Sequence, residues 1–151
     1  MRILVQRVTK ATVHIEQNPY AQIKNGLVVF VGIEHEDDDE LDADYLASKC
    51  SALRVFDDKN DKMNLSVNDA YGSLLVISQF TLHAMTRKGN RPSFMMAAKP
   101  EKAKALYEYF IRRMNSLVNS EIKTGIFGAN MQVELINNGP VTILIDSKNK
   151  E

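Results

Sequence analysis

A short polar segment that follows an apolar run is the first candidate for chemistry in this sequence. Residues 74–77 are apolar, and Ser78-Gln79-Phe80-Thr81 follows them directly. Because side chains alternate between the two faces of a strand, Gln79 and Thr81 are predicted to share one face with His83. The pattern is typical of a strand that ends in a pocket, and it is equally typical of a strand that ends in solvent.

Nucleophilic catalysis by these side chains is poorly supported. A Thr81 nucleophile would need a base within about 3 Å of its hydroxyl, whereas two residues along a strand separate Thr81 from His83 by about 6.5–7 Å. The Gly-x-Ser-x-Gly pattern of α/β-hydrolases is absent from the sequence. His14, His35 and His83 are far apart and form no metal-ligating helix motif. We therefore expect structural or surface roles for the three histidines.

A Gly-Pro pair near the C-terminal end is the second candidate, although its residues carry no reactive group. Gly139-Pro140 closes the segment Asn137-Asn138-Gly139-Pro140, and Gly and Pro are common turn residues. We therefore predict a hairpin around this segment, with strands over residues 131–136 and 141–145. Since only about 5–6% of X–Pro bonds in folded proteins are cis, the sequence alone favours a trans bond.

Residues 83–99 have little periodicity and contain the densest basic segment of the chain, with Arg87, Lys88 and Arg91. The net charge of the whole chain is zero, so a nucleic acid would have to be attracted by a local patch. These three residues, together with Arg112 and Arg113, are candidates for phosphate contacts. An ordinary solvated loop explains them equally well.

Composition favours one globular domain over residues 1–151, because 44% of the residues are hydrophobic and 25% are charged. Cys50 is the only cysteine, so an internal disulfide and a thiolate zinc cluster are excluded. The longest apolar stretch, residues 27–31, is too short to span a bilayer. The first residues lack the long apolar core of a signal peptide. We expect a cytosolic protein that does not bind membranes.

The elements that must position the candidate residues are predicted to be short strands and two helices. β-branched residues indicate strands over residues 3–8 and 11–15, while Asn18-Pro19 and Asn25-Gly26 indicate turns. Residues 27–33 lack alternation, which is typical of a strand covered on both faces. A further strand is expected over residues 74–82.

Two apolar stripes at helical spacing predict the helices. The first follows the acidic run 34–39, which we interpret as a solvated helix entry rather than a metal site, and the second follows Pro100, a favourable first-turn residue. The polar loop 57–62 lacks the central glycine and the closing acidic residue of a calcium loop. We predict an α+β fold, with two helices packed on a mixed, largely antiparallel sheet or open β-barrel. The stripes are Leu41, Tyr45, Leu46, Cys50 and Leu53, and Ala103, Leu106, Tyr107, Phe110, Ile111, Met114 and Leu117.

Two segments together carry a family resemblance. Ser78-Gln79-Phe80-Thr81-Leu82 and Asn137-Asn138-Gly139-Pro140-Val141-Thr142 match both signatures of the D-aminoacyl-tRNA deacylase family. The chain therefore resembles an enzyme that hydrolyses the ester between a D-amino acid and tRNA, a chiral proofreading step in translation. The likeness covers nearly the whole chain, through Gln6-Arg7-Val8, Lys62-Met63-Asn64-Leu65, Arg91-Pro92-Ser93-Phe94, Thr124-Gly125-x-Phe127 and Met131-Gln132-Val133.

The resemblance implies a homodimer with active sites at the subunit interface and without cofactor or metal. It implies a cis Gly139-Pro140 bond that enters the partner's pocket, where its carbonyl oxygens capture the amino group of a D-residue and exclude an L side chain. Arg7 would hold that motif in place. The matching positions are Ser78, Gln79, Phe80 and Thr81 in the catalytic segment, with Leu82, Phe127 and Met131 as substrate-binding residues near the terminal adenosine.

The resemblance also accounts for the lack of a side-chain triad, because an aminoacyl ester is already activated. The neighbouring ribose hydroxyl can assist water or attack, while backbone N–H groups near Phe80 and Thr81 stabilise the oxyanion. Such a site would be nearly blind to side-chain identity and would admit achiral glycine. Two alternatives stay open: a small esterase or amidohydrolase acting on free D-amino acid derivatives, and a non-catalytic tRNA- or DNA-binding module.

Overall fold

One long strand organises the sheet in the computed structural model of this chain, which describes residues 1–37 and 40–150. Strand β1 (Arg2–Ile15) pairs antiparallel with β8 (Met131–Asp146) from end to end. Residues 2–8 of β1 also pair with β3 (Gly26–Gly32), and residues 11–15 pair with β2 (Asn18–Ile23). The two strands predicted over residues 3–8 and 11–15 are therefore a single strand.

The other half of the sheet is parallel. Strand β3 pairs in parallel with β6 (Ser73–Ser78), which pairs in parallel with β7 (Ile122–Thr124). Parallel neighbours need long crossover connections, and the two helices lie in these connections. The first crossover also contains a small antiparallel pair, β4 (Phe56–Asp57) and β5 (Met63–Leu65). The prediction of an α+β fold with a mixed sheet and two packed helices is confirmed.

Both helices pack through the stripes that the sequence indicates, with differences at the ends of the first. Helix α2 (Pro100–Leu117) has Pro100 in its first turn and buries Leu106, Tyr107, Phe110 and Met114. Helix α1 (Leu41–Ala52) buries Leu46 and Cys50, but Leu41 is 71% exposed and Leu53 is the C-cap residue. The small residues Ala43 and Ala47 take the remaining places on its buried face.

The central strands are covered on both faces, as residues 27–33 predict. Alternate residues of β3 and β6 belong to two separate apolar clusters. Leu27, Val29 and Val31 pack with the residues of the helices. Val28 packs on the opposite side of the sheet with Leu75 and Ile77.

Two predicted turns are placed differently in the structure. Asn18-Pro19 begins β2, and the turn before it consists of Glu16 and Gln17, which both have positive φ. The hairpin predicted around Gly139-Pro140 does not form, because residues 131–136 and 141–145 belong to the same strand β8. The register explains this: only Arg7 lies between Gln6 and Val8, whereas residues 138–141 lie between their partners Thr142 and Asn137.

The segment 138–141 is therefore an outward excursion from a strand that then continues in the same direction. We call it the Gly-Pro excursion. Turn residues predict a break in the ladder, but they do not determine whether the chain reverses. The long partner β1 holds both halves of β8 and so prevents the reversal.

The prediction of a solvated helix entry over the acidic run 34–39 holds for the exposed Glu36 but is wrong at Asp37. Asp37 is 3% exposed, and its carboxylate accepts hydrogen bonds from the Met1 amino group and from the backbone N–H of Glu34 (2.7 Å). Such pairing compensates for the burial of a carboxylate. Residues 38 and 39 lie outside the described residues. Among the residues that the structure describes, no group of three His, Cys, Asp or Glu side chains could hold a metal ion.

Neither helix within the described ranges has both the length and the apolar character needed to cross a bilayer.

Candidate functional site

The Ser78-Gln79-Phe80-Thr81 segment changes backbone conformation in its middle. Strand β6 ends at Ser78, and residues Phe80–His83 form a 3₁₀ helix. The N–H of Gln79 still donates to the carbonyl oxygen of Val31 (2.7 Å), and its carbonyl accepts from the N–H of Leu82 (3.3 Å). The predicted alternation of Gln79, Thr81 and His83 on one strand face is therefore wrong, because the strand has already ended.

The Thr81 hydroxyl and the His83 ring lie in different surroundings. The Thr81 oxygen is exposed and accepts a hydrogen bond from the side-chain amide of Gln79 (2.6 Å). The His83 ring is buried, and its Nδ1 lies 3.9 Å from a carboxylate oxygen of Glu34. Within the described chain, His83 Nε2 has no hydrogen-bond partner. These contacts give Thr81 no histidine base.

Burial lowers the pKa of His83 below its ordinary value of 6.5, and the backbone of Gly32 and the Glu34 carboxylate only partly oppose this effect. The ring is therefore neutral near pH 7. Its position is structural, as expected, although one of its nitrogens is unpaired.

Gly32 allows the 3₁₀ helix to lie directly against β3. A Cβ atom at Gly32 would lie 2.9 Å from the Leu82 Cβ, 3.0 Å from the Gln79 carbonyl oxygen and 3.1 Å from the His83 ring. Any larger residue would push the helix away from the sheet. The Arg2 guanidinium holds the same helix from the other end, because its Nη1 donates to the carbonyl of Leu82 (3.1 Å).

A cavity of about 510 Å³ opens beside this helix. This volume is in the range of small-molecule sites. Five residues predicted for the site line it: Ser78, Gln79, Phe80, Phe127 and Met131.

Phe127 and Met131, which line the cavity, pack against residues that lie outside it. The ring of Phe127 packs against Tyr107 with centroids 5.8 Å apart, and the buried Tyr107 hydroxyl donates to the carbonyl of Val76 (2.8 Å). Met131 lies against Gly125, where an added Cβ would overlap the Met131 sulfur. Two wall residues of the cavity thus depend on neighbours that do not line it themselves.

Small residues that sequence reasoning did not assign to a site give the cavity its space. Ala97, Ala98, Ala103 and Gly128 line it. Ala103 belongs to the core stripe of α2 and packs against the core as predicted, and it also lines the cavity. The only local sign in the sequence is the absence of large side chains where the basic loop meets the helix.

Gly139 and Pro140 are exposed at the tip of the Gly-Pro excursion. Their peptide bond is cis, as the resemblance implies and contrary to the frequency argument. Gly139 has a φ of 132°, and a Cβ there would lie 2.8 Å from a methyl of Val141 and 3.1 Å from Arg7 Nη2. Asn137 closes the base of the excursion, because its amide oxygen accepts from the Val141 N–H (2.8 Å).

Arg7 lies beneath the excursion and is only 6% exposed. Its Nε donates to the carbonyl of Asn138 (2.9 Å), and its Nη1 donates to the carbonyl of Val55 (2.6 Å) and to the Asp57 carboxylate (3.1 Å). The guanidinium thus connects the excursion to the β4 segment. The planar fork of an arginine suits such divergent acceptors.

The structure does not bring all the predicted site residues together in one chain. Arg7, Gly139 and Pro140 do not line the cavity. Leu82 lies beside it in the 3₁₀ helix. The cavity and the Gly-Pro excursion are separate features of this chain.

The basic loop has an ordered base. Met85 and Ser93 exchange backbone hydrogen bonds of 2.8 and 3.0 Å, which closes the segment 86–92. Arg87, Lys88 and Arg91 are exposed in this segment. Within the described part of the chain they make no ion pair, whereas Arg113 pairs with Asp44 (3.0 Å).

Comparisons with known proteins find a matching family model and full-length relatives. The model of the family described as D-Tyr-tRNA(Tyr) deacylase matches residues 4–146. A D-aminoacyl-tRNA deacylase from Cytophaga hutchinsonii is 56% identical over 151 residues, and one from Flavobacterium psychrophilum is 52% identical. In both cases the match covers 100% of this chain and of the relative.

Two solved structures share the fold. A protein described as c-Myc DNA Unwinding Element Binding Protein superposes with a TM-score of 0.90 at 39% identity, covering 97% of this chain and 98% of that one. A probable eukaryotic D-amino acid tRNA deacylase superposes with a TM-score of 0.80 at 15% identity, covering 95% and 97%. The second likeness concerns the fold alone.

Proposed function

Because this chain belongs to the D-Tyr-tRNA(Tyr) deacylase family, we propose that it hydrolyses the ester bond between D-amino acids and tRNA. The reaction frees tRNA that carries the wrong enantiomer, and we place it in the cytosol, where tRNA is charged. The chemistry is ester hydrolysis by backbone and RNA groups, without a cofactor.

The observation that carries this proposal is the 3₁₀ helix at the mouth of the cavity. Gln79 and Phe80 line the cavity, and the N–H groups of Phe80 and Thr81 belong to the first turn of that helix. Amides of a first turn have no partner within their helix. They are available to stabilise the oxyanion that forms when water or the neighbouring ribose hydroxyl attacks the ester. The Thr81 hydroxyl need not react.

The Gly-Pro excursion supplies the chiral selection in this proposal, from a second copy of the chain. Gly139 and Pro140 are exposed and rigidly held by Arg7 and Asn137. In this arrangement the excursion enters the cavity of the partner. The carbonyl oxygens of Gly139 and Pro140 would then accept hydrogen bonds from the amino group of a D-residue, and the excursion would leave no space for an L side chain. Backbone suits this task because, unlike a side chain, it does not swing aside. Glycine has no side chain to exclude and would be admitted.

The exposed apolar side chains of β8 support the dimer. Ile136 is 49% exposed and Leu144 is 58% exposed, on the two sides of the excursion. A homodimer that buries them would place each excursion on a partner, as twofold interfaces place the same surface on both copies.

The basic loop is the proposed contact for the tRNA backbone, through Arg87, Lys88 and Arg91. Charge reversal at Lys88 should slow hydrolysis of D-tyrosyl-tRNA and leave hydrolysis of D-tyrosyl-adenosine unchanged, because only the longer substrate carries those phosphates. Equal losses on both substrates would contradict this role.

The test of the proposed function is hydrolysis of matched D- and L-tyrosyl-tRNA, with a reaction without protein as the control. We expect rapid loss of the D ester and loss of the L ester at the uncatalysed rate. Equal cleavage of both enantiomers would refute the proposal. In the same assay, Thr81→Ala should retain single-turnover activity. If it abolished turnover with fold and binding intact, a threonine nucleophile would be favoured instead.

Two other functions make different predictions in these assays. An esterase for free D-amino acid derivatives would cleave small D-esters with no benefit from tRNA. A DNA-binding role, as the description of one structural relative names for that protein, would give affinity for DNA without turnover. The neutral net charge of this chain disfavours general affinity for nucleic acid.

A further inference from the structure

We infer that the exposed aromatic pair Phe80–Phe94 is a stacking platform for the nucleobase that precedes the terminal adenosine of the substrate. The ligand class is a pyrimidine nucleotide in a single-stranded RNA 3′ end. This inference rests on the proposed function, which assigns the cavity to the terminal adenosine and the amino acid.

The pair is open to solvent at the rim of the cavity. Phe80 is 56% exposed and Phe94 is 38% exposed. Their ring centroids lie 5.0 Å apart at an interplanar angle of 73°. In such an edge-to-face arrangement the edge of one ring covers only one face of the other, so aromatic surface remains available. Phe80 also lines the cavity, and a base on the platform would therefore be next to a nucleoside inside it.

Phe94 is held in place by backbone contacts on both sides. Its carbonyl accepts from the N–H of Ala97 (3.0 Å), and the preceding residue, Ser93, exchanges two hydrogen bonds with Met85. These contacts hold the Phe94 backbone, and the edge-to-face contact with Phe80 orients the exposed ring. A preorganised aromatic surface loses little conformational entropy when a base stacks on it.

The surrounding charge fits a nucleotide rather than an apolar protein segment. The segment 86–92, which carries Arg87, Lys88 and Arg91, begins and ends at the Met85–Ser93 bridge next to Phe94. Sites for single-stranded nucleic acid combine aromatic stacking surfaces with cations that follow the backbone.

The experiment compares two substrates that differ only in the nucleotides before the terminal adenosine: D-tyrosyl-adenosine and D-tyrosyl-CCA trinucleotide. Phe94→Leu should lower kcat/KM for the trinucleotide by roughly tenfold, since stacking on an aromatic side chain is commonly worth this much in affinity. Its kcat/KM for D-tyrosyl-adenosine should not change. Phe94→Tyr should restore the wild-type value, because it keeps the ring.

Tyr71→Leu is the matched control. Tyr71 is 92% exposed and precedes β6 at the end opposite to the cavity. Its replacement should therefore leave kcat/KM unchanged for both substrates. A direct readout is the fluorescence of 2-aminopurine placed before the terminal adenosine. Wild-type protein should quench it on binding, and Phe94→Leu should not.

Three outcomes would overturn the platform: equal losses on both substrates, no loss on either, or a changed oligomeric state of Phe94→Leu, which would assign the ring to the interface between copies. Failure of the wild-type protein to cleave either substrate would instead overturn the proposed function. The two failures are therefore distinguishable.

Discussion

The cavity beside the 3₁₀ helix and the Gly-Pro excursion of β8 are built in opposite ways. The cavity is concave, and small residues and the end of β6 shape it. The excursion is convex, because β8 accommodates residues 138–141 opposite the single residue Arg7. Yet each depends on a glycine that permits a close approach, Gly32 in one and Gly139 in the other. The difference teaches that this fold presents backbone, rather than reactive side chains, both beside its concave feature and at the tip of its convex one.

The largest loss of rate is expected from enlarging Gly32, which packs against the 3₁₀ helix beside the cavity. Gly32→Ala would force the 3₁₀ helix away from β3, because the new Cβ meets the Gln79 carbonyl and Leu82. A displacement of this kind commonly costs about 100-fold in rate. We expect that loss in the single-turnover hydrolysis of D-tyrosyl-tRNA. Val29→Ala removes buried apolar volume elsewhere in β3. It should lower the melting temperature without a comparable loss of rate. Similar rate losses in both variants would mean that the 3₁₀ helix has no special role.

Replacing Arg7 should make the position of the Gly-Pro excursion less fixed. Arg7→Lys keeps the charge, but a single ammonium cannot reach the acceptors on Asn138, Val55 and Asp57 together. The rate on D-tyrosyl-tRNA should fall about tenfold, as expected for the loss of a hydrogen bond from a charged group, and the ratio of D to L cleavage should shrink. Arg54→Lys is the control, because Arg54 is exposed and donates to the Asn64 carbonyl, away from the excursion. An unchanged D/L ratio in Arg7→Lys would separate Arg7 from chiral selection.

Gly125 provides a finer test of the cavity wall. Gly125→Ala should push the flexible Met131 side chain into the cavity and raise KM for D-tyrosyl-adenosine about three- to tenfold, with kcat nearly unchanged. The double variant Gly125→Ala/Met131→Ala should recover part of the loss, because the two residues are in contact and their effects couple. Additive effects would indicate that Gly125 acts elsewhere.

The smallest predicted effect concerns stability below neutral pH. Because burial lowers the pKa of His83 in the folded chain, the unfolded chain binds a proton near pH 6.5 that the folded chain does not. The free energy of unfolding should therefore fall as the pH drops below about 6.5. His83→Gln should make this fall shallower in urea titrations at several pH values, whereas His35→Gln, which changes an exposed ring, should not. Parallel curves for His83→Gln and the wild type would contradict the assignment.

The sequence predicts those parts of the molecule that depend on local periodicity. The stripe of α2, the first-turn Pro100 and the doubly covered β3 are all present as expected. The sequence does not predict features that long-range pairing decides. The prediction of a hairpin at Gly139-Pro140 is wrong, because β1 pairs with both halves of β8 and keeps them in one strand. The prediction of a solvated acidic run is wrong at Asp37, because its buried carboxylate pairs with the Met1 amino group.

The site shows the same division. Local patterns predict a strand over residues 74–82, whereas β6 ends at Ser78 and a 3₁₀ helix follows. That helix lies directly against Gly32, which is distant in sequence. Ala103 packs against the core, as its spacing predicts, and it also lines the cavity. The motifs of the resemblance locate Gln79 and Phe127, whereas their surroundings need the tertiary structure.

The central claim, that the cavity of one copy is completed by the excursion of another, is tested most directly by mixing two defective variants. Gly32→Ala damages the cavity, and Gly139→Ala damages the excursion, because its φ of 132° and its contact with Arg7 do not allow a side chain. Co-refolded in equal amounts, half of the twofold dimers would combine both variants and hold one intact site each. We predict recovery of about a quarter of the wild-type rate on D-tyrosyl-tRNA. A mixture no more active than the two variants alone would contradict the claim.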